Sequence, residues 1–424
     1  MRTSFTSILE RFQAQSASDR LFLEESLHDF GPELAEVDES HDYANEMVDK
    51  AVEESGPEGF RVLTNFTPDE FESIWSVVES TLSSRWNDGR GRKSKITPKD
   101  ALFVTLVVLK HYQTWDKHAL DFGMKAPTLE KMVMRVIETA QPVLFDHFVT
   151  MPTMTDLRDK GTVFRNYPYA KYATDVKFQP ANRPTGRFGE QKHYFSGKHK
   201  LYGLKIEASV SPEGLLVDMS AHEPGSVSDI TMFRDRHDVH QSALRKLENE
   251  TTINDNGELF QDFPESWAVL VDKGYVGLTG MTRAIHPKKR PVHGVLDRAD
   301  LERNTNVSSD RVIVENFFGR VCLLWKISYS TFVWGTKCYD SIQRLTFALT
   351  NFHLALMPLR QDDRHQYRAV LARYRRMAEE NNAKRAAIQR RYVVRRAERL
   401  ASDSLRSGVT ARGSFMSPRA NNRR

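Results

Sequence analysis

Five consecutive apolar residues, Trp267-Ala268-Val269-Leu270-Val271, run directly into Asp272. An unbroken apolar run of that length predicts a strand covered on both faces, and such a strand needs helices above and below it. This segment restricts the chain to α/β layers. The surrounding pattern agrees. Tyr172-Ala173-Thr174-Asp175-Val176-Lys177-Phe178 is short and rich in strand formers, 192–195 and 201–210 flank Ser196-Gly197-Lys198 as a hairpin turn, and 214–220 forms a third strand. After the break at Gly225-Ser226-Val227-Ser228, Ser228 is placed to cap a helix over 229–236, and helical spacing returns over 309–325 and 340–357. The expected core is a mixed sheet flanked by helices.

Upstream of residue 156 the signals are helical. Thr67-Pro68-Asp69-Glu70 supplies a capping Thr, a Pro at the first helical position and acids in the first turn, and Thr97-Pro98-Lys99-Asp100 repeats the device before an apolar helix through Leu109. Two further helices, over 114–120 and 128–137, surround Asp121-Phe122-Gly123-Met124 and form a helix-turn-helix pattern. Leu129, Met132, Val133 and Val136 make its buried stripe, leaving Thr128, Lys131 and Arg135 outside, where DNA can be met. Ordinary helical hairpins share this pattern.

Charge separates the ends of the chain although the net value is only +5 over 424 residues. Residues 1–58 are acidic, lack sustained periodicity and are expected to be largely disordered. From residue 360 onward arginines dominate, among them Arg373, Arg375, Arg376, Arg390, Arg391, Arg395 and Arg396. That tail is either a solvated surface helix or a phosphate-contacting one. The resulting division is 1–58 acidic, 59–155 helical and DNA-binding, 156–359 catalytic, and 360–424 a basic tail, part helical and part disordered.

Several chemistries are unsupported. Cys322 and Cys338 are the sole cysteines, so no disulfide framework or cysteine-rich zinc site is available, and His222, His237, His240 and His286 have no ligand spacing. No phosphate-cradling Gly-x-x-x-x-Gly-Lys-Ser/Thr loop occurs, and no apolar stretch approaches the roughly 20 residues of a membrane span. An intracellular, membrane-free protein is expected.

What remains is a set of acids in apolar surroundings. Asp175 interrupts the first strand, Asp272 closes the buried strand, and Glu315 lies in the helix Ser308-Ser309-Asp310-Arg311-Val312-Ile313-Val314-Glu315. Each alone reads as a cap or an ion pair. Converging from two strands and a helix, however, three carboxylates suit hard divalent cations, Mg²⁺ or Mn²⁺. Two such ions support in-line displacement at phosphorus.

The residues Ala173 to Gln179 around Asp175, Ser196 to Phe233, Val269 to Gly277 around Asp272, and Arg311 to Arg320 around Glu315 together resemble the Harbinger-type DDE-superfamily transposases over about 60–357. The resemblance implies a ribonuclease H-like catalytic domain behind a helical DNA-binding region. It implies that Asp175, Asp272 and Glu315 bind two divalent ions, and that the protein cleaves DNA at transposon terminal inverted repeats and joins 3′ ends to a target. Asp229 matches a recurrent acid of that family and is expected beside the metal site; a first-turn acid favoured by the helix dipole reads equally well. Arg311, one helical turn before Glu315, is placed to orient that carboxylate or to clamp a phosphate. Where the family carries Lys, seven residues after the Glu, this chain has Cys322, with Arg320 and Lys326 as substitutes for a phosphate contact. Lys192, Lys198 and Lys200, interleaved with aromatics, suit a DNA-tracking edge. Pro287-Lys288-Lys289-Arg290-Pro291 reads either as a nuclear-import signal or as a basic loop facing DNA. A homo-oligomer and a Myb-like DNA-binding partner follow from the resemblance. The alternative is a domesticated DNA-binding or nuclease protein without strand transfer.

Overall fold

A computed structural model describes residues 21, 43–88, 94–278, 280–291 and 294–411 of the chain. Most of the acidic segment expected to be disordered lies outside these residues. Its end does not: helix α1 (Glu46–Thr64) begins inside it and bends at Gly56, where φ is 64° and Pro57 follows. Glycine tolerates that left-handed φ, so the Gly-Pro pair joins two helical pieces instead of ending a coil. The second piece is held by Phe60, which is fully buried, stacked on Phe103 at 5.1 Å and edge-on to Phe71 at 5.5 Å.

Two helices start as their sequences dictate. Thr67 closes a reciprocal capping box with Glu70 at the start of α2 (Pro68–Trp86), and Thr97 accepts from the Asp100 amide at the start of α3 (Pro98–His111). Residues 101–109 of α3 are buried on every side, the expected fate of a helix with no polar face. The turn between α4 (Trp115–Asp121) and α5 (Ala126–Phe148) passes through Gly123 at φ 60°, and the stripe Leu129, Met132, Val133 and Val136 is buried. Helix α5 runs eleven residues past the expected end despite Pro142, because its C-terminal half packs on a later helix. The short α6 (Met154–Asp159) leads into the sheet.

Strand β1 (Ala170–Pro180) is central. Helix α7 (Phe188–His193) and the two-residue β2 (Phe195–Ser196) replace the strand expected at 192–195. Then come β3 (Leu201–Val210), β4 (Leu216–Met219) and β5 (Glu223–Pro224), helices α8 (Asp229–Asp235) and α9 (His237–Leu244), and strands β6 (Ala268–Leu270) and β7 (Ala284–Ile285). The order is β2-β3-β1-β6-β7, with β4 and β5 also on β3. β3 is antiparallel to β1, whereas β6 is parallel to β1 and β7 to β6. This is an open mixed sheet flanked by helices. Tyr172, Val217, Phe233, Val269, Val271 and Tyr275 form one apolar cluster under α8 and α9.

Helices α10 (Arg298–Leu324), α11 (Tyr339–Leu356) and α12 (Asp363–Ala411) complete the fold. Asn351 of α11 ties the helical region to the sheet: its amide donates to Phe148 O and Leu216 O, at 2.9 and 2.8 Å, and its carbonyl accepts from Leu216 N. Residues Ala51–Arg424 accordingly form one compact unit. The basic helix α12 is not a tail throughout. Tyr367, Val370, Tyr374 and Ala378 are buried, a stripe at helical spacing on which Tyr367 meets Phe318 of α10 and Tyr374 meets Phe178 of β1. Its start approaches α10 at Gly319, where a Cβ would stand 1.9 Å from Asp363 O. No described helix is long and apolar enough to cross a membrane.

Candidate active site

The parallel pairing of β1 with β6 explains why two distant aspartates meet. Ala173 is paired with Leu270, so Asp175, midway along β1, and Asp272, just past the end of β6, each two residues further on, lie side by side where β6 ends. Helix α10 crosses here and presents Arg311 and Glu315, four residues apart on one face. The Arg311 guanidinium joins all of them: Nη1 lies 2.7 Å from Asp175 Oδ2, and Nη2 lies 3.5 Å from both Asp272 Oδ1 and Glu315 Oε1. Arg368 of α12 reaches the other Glu315 oxygen at 3.4 Å. Asp175 Oδ1 accepts from the Val176 amide at 2.8 Å.

Asp229 opens α8, whose N-terminus Ser228 caps as expected. Its carboxylate accepts from Lys205 Nζ at 2.8 Å and faces Lys198 Nζ at 3.7 Å. A Cβ on Gly274 would lie 3.9 Å from Asp229 Oδ2, so Asp229 borders the turn that follows Asp272. Beneath this group the buried Tyr275 hydroxyl has no hydrogen-bond partner among the described residues. Burial, reinforced by Glu207, Asp175, Asp229 and Asp272, pushes its phenol well above the ordinary value, so it stays neutral.

The electrostatics of the acids follow from crowding. Burial raises the Asp175 carboxyl above the usual carboxylate range and Asp272 adds to the rise, against the opposing pull of Arg311. Burial works against the Arg311 charge, yet Asp175, Asp272 and Glu315 more than compensate and raise it. The donor set consists of hard carboxylate oxygens around a point that a cation already occupies, which fits Mg²⁺ or Mn²⁺ in chemistry and in charge. Among the described residues no three His, Cys, Asp or Glu side chains are yet drawn in to metal-ligand distances. The acids are gathered on a guanidinium instead.

Other expected contacts have varied places. Lys131 is exposed on α5, and Lys192, Lys198 and Lys200 are exposed around α7 and the β2–β3 turn, where Lys200 adopts φ 56°. Arg135 is turned inward to α2: its Nη2 donates to Arg85 O and Asp88 O at 2.8 and 3.1 Å, and its guanidinium lies over Trp86. Arg320 is 3% exposed and bonds Asp363 Oδ2 and Met357 O at 2.7 Å each. It is thus placed as a brace between α10 and the α11–α12 connection. Lys326 is exposed and sits within electrostatic range of His111 and His118 in the helical region. Cys322 is 1% exposed; burial pushes its thiol up to about 11, and the buried Lys177 ammonium of β1 opposes that rise. That position therefore belongs to the core. Sequence reading did not single out Arg368 or Lys205. A lysine within the apolar strand 201–210 was the available signal for Lys205; nothing local marks Arg368 among the many arginines of α12.

Residues 174–351 match the family model described as DDE superfamily endonuclease. That span contains all three acids and Asp229. The probable transposase for insertion sequence element IS702 of Microchaete diplosiphon is 22% identical over 268 residues, covering 61% of this chain and 80% of that protein. No solved structure matches the chain.

Proposed function

We propose that the chain is a divalent-metal-dependent DNA endonuclease of the transposase kind, with Asp175, Asp272 and Glu315 as the metal-holding residues. The observation that carries this reading is the convergence of those three acids, from β1, the end of β6 and α10, on the single Arg311 guanidinium. The match of residues 174–351 to DDE superfamily endonucleases, and the similarity to a probable transposase, favour DNA as the substrate. Asp175, Asp272 and Glu315 would hold two Mg²⁺ or Mn²⁺ ions, whose chemistry would be to activate a water or 3′-hydroxyl and stabilise the leaving oxygen. The chain's own residues do the rest. Asp175 and Asp272 are fixed by strand register, Glu315 by the helix, and Lys198, Lys205 and Asp229 form an adjoining polar wall. The exposed Lys131, Lys192 and Lys200 and the solvated part of α12 supply positive charge for the phosphate backbone. The Harbinger-type resemblance extends the proposal to terminal inverted repeats as the cleavage site, 3′-end joining, a homo-oligomer, a Myb-like partner and nuclear action, with Pro287-Lys288-Lys289-Arg290-Pro291 as the import segment.

Incubating the protein with duplexes bearing candidate inverted-repeat ends, a target plasmid and Mg²⁺ tests this. End cleavage with joined products is the expected result. Cleavage without joining reduces the function to a nuclease, and intact DNA in every metal and substrate combination contradicts it.

A further inference from the structure

Arg311 stands where the three acids meet, and its side chain is only 12% exposed. Its hold is uneven. One nitrogen is tightly engaged with Asp175 at 2.7 Å, the other is shared loosely between Asp272 and Glu315 at 3.5 Å, and the buried Nε has no partner among the described residues. Charge, more than saturated hydrogen bonding, keeps this guanidinium in place.

We propose that Arg311 is a built-in counter-cation, which holds Asp175, Asp272 and Glu315 together before metal enters and must leave the space between them when divalent ions bind. The inference rests on the reading of these acids as a metal site. Three carboxylates within reach of one point repel one another, so without a cation they would splay or take up protons. A single guanidinium answers that repulsion and keeps the acids near their working positions. It also competes: a divalent ion and Arg311 cannot share the same three carboxylates without like-charge repulsion. Metal affinity therefore carries the cost of moving Arg311, and linkage makes that cost measurable. The released guanidinium, planar and always charged, suits a phosphate of bound DNA. Loading of metal and engagement of DNA are thereby coupled through one side chain.

A residue that merely positioned Asp175 would have the opposite signature, because its removal would weaken metal binding. Isothermal titration of the full chain with Mn²⁺, without DNA, separates the two. Arg311→Gln should bind Mn²⁺ at least about tenfold tighter than wild type. Arg311→Lys, whose ammonium is a point charge able to serve fewer of the acids, should fall between them. Equal or weaker binding by these variants overturns the counter-cation. If Arg311→Gln fails to fold, as a melt would report, Arg311→Lys carries the test by the same sign. Asp272→Asn distinguishes the underlying reading: it should weaken Mn²⁺ binding at least about tenfold, and unaltered affinity there removes the metal site itself.

Discussion

Tyr374 decides whether the basic C-terminal helix is an appendage or part of the fold. Its ring is 2% exposed and meets Phe178 of β1 edge-on at 6.2 Å, while its hydroxyl donates to Tyr329 O at 2.7 Å. Truncating a buried aromatic to alanine costs about 3–5 kcal/mol, and leaving a buried carbonyl without its donor adds about 1 kcal/mol. Tyr374→Ala should therefore destabilise the protein by about 4–6 kcal/mol, a large part of the roughly 5–15 kcal/mol that holds a typical domain together. Tyr374→Phe keeps the ring and loses the hydrogen bond, so it should cost about 1 kcal/mol. Equilibrium urea unfolding followed by tryptophan fluorescence measures both, with the exposed Arg385→Ala as a control that leaves the midpoint unchanged. Tyr374→Ala within about 1 kcal/mol of wild type would refute the packing of α12 on the sheet.

Deleting 380–424, beyond Ala378, the last buried residue among those described, should leave folding intact but weaken binding to all duplexes alike and flatten its salt dependence; an unchanged salt slope assigns this part of α12 to another role. Arg135→Ala should lower stability by about 1 kcal/mol through loss of its bonds at the end of α2, whereas Lys131→Ala should change preference among DNA sequences and not the melt; the reverse pattern in paired melting and binding assays would contradict this assignment. Asp175 titrates above its ordinary value because burial disfavours the ionised form, so the fold carries a penalty above its raised pKa that disappears as pH falls toward 3.8. Metal-free Asp175→Asn should thus melt higher than wild type at neutral pH, with the gap closing on acidification, and a pH-independent gap would show that this carboxyl is unperturbed.

Features that depend on neighbours in sequence were legible in advance. The caps at Thr67, Thr97 and Ser228, the strand 201–210 and the buried run ending at Asp272 follow from local spacing and turn chemistry, and all are present in the structure. Tertiary partners decided the rest. Arg135 looked solvent-facing because the carbonyls it bonds end a helix some fifty residues earlier. Arg320 looked like a phosphate ligand because Asp363, which holds it, is 43 residues away. The stripe Tyr367, Val370, Tyr374 and Ala378 was obscured by the arginines interleaved with it, and its partners, Phe318 for Tyr367 and Phe178 for Tyr374, lie far away in the sequence. The three acids were identifiable by residue type and apolar context. Their centring on Arg311 depends on the register of β6 against β1, which no local pattern encodes.

If Asp175, Asp272 and Glu315 form one metal-dependent DNA-cleaving site, each is required for the chemistry. This is measured by the cleavage rate of an end-bearing duplex in Mg²⁺ for wild type, Asp175→Asn, Asp272→Asn and Glu315→Gln, with duplex affinity determined in parallel in Ca²⁺. Each variant should lose at least about a hundredfold in rate while binding DNA within a few-fold of wild type, since neutralising one carboxylate removes charge stabilisation without removing the basic surface. A variant that cleaves at the wild-type rate takes its residue out of the site, and full cleavage by all three contradicts the account.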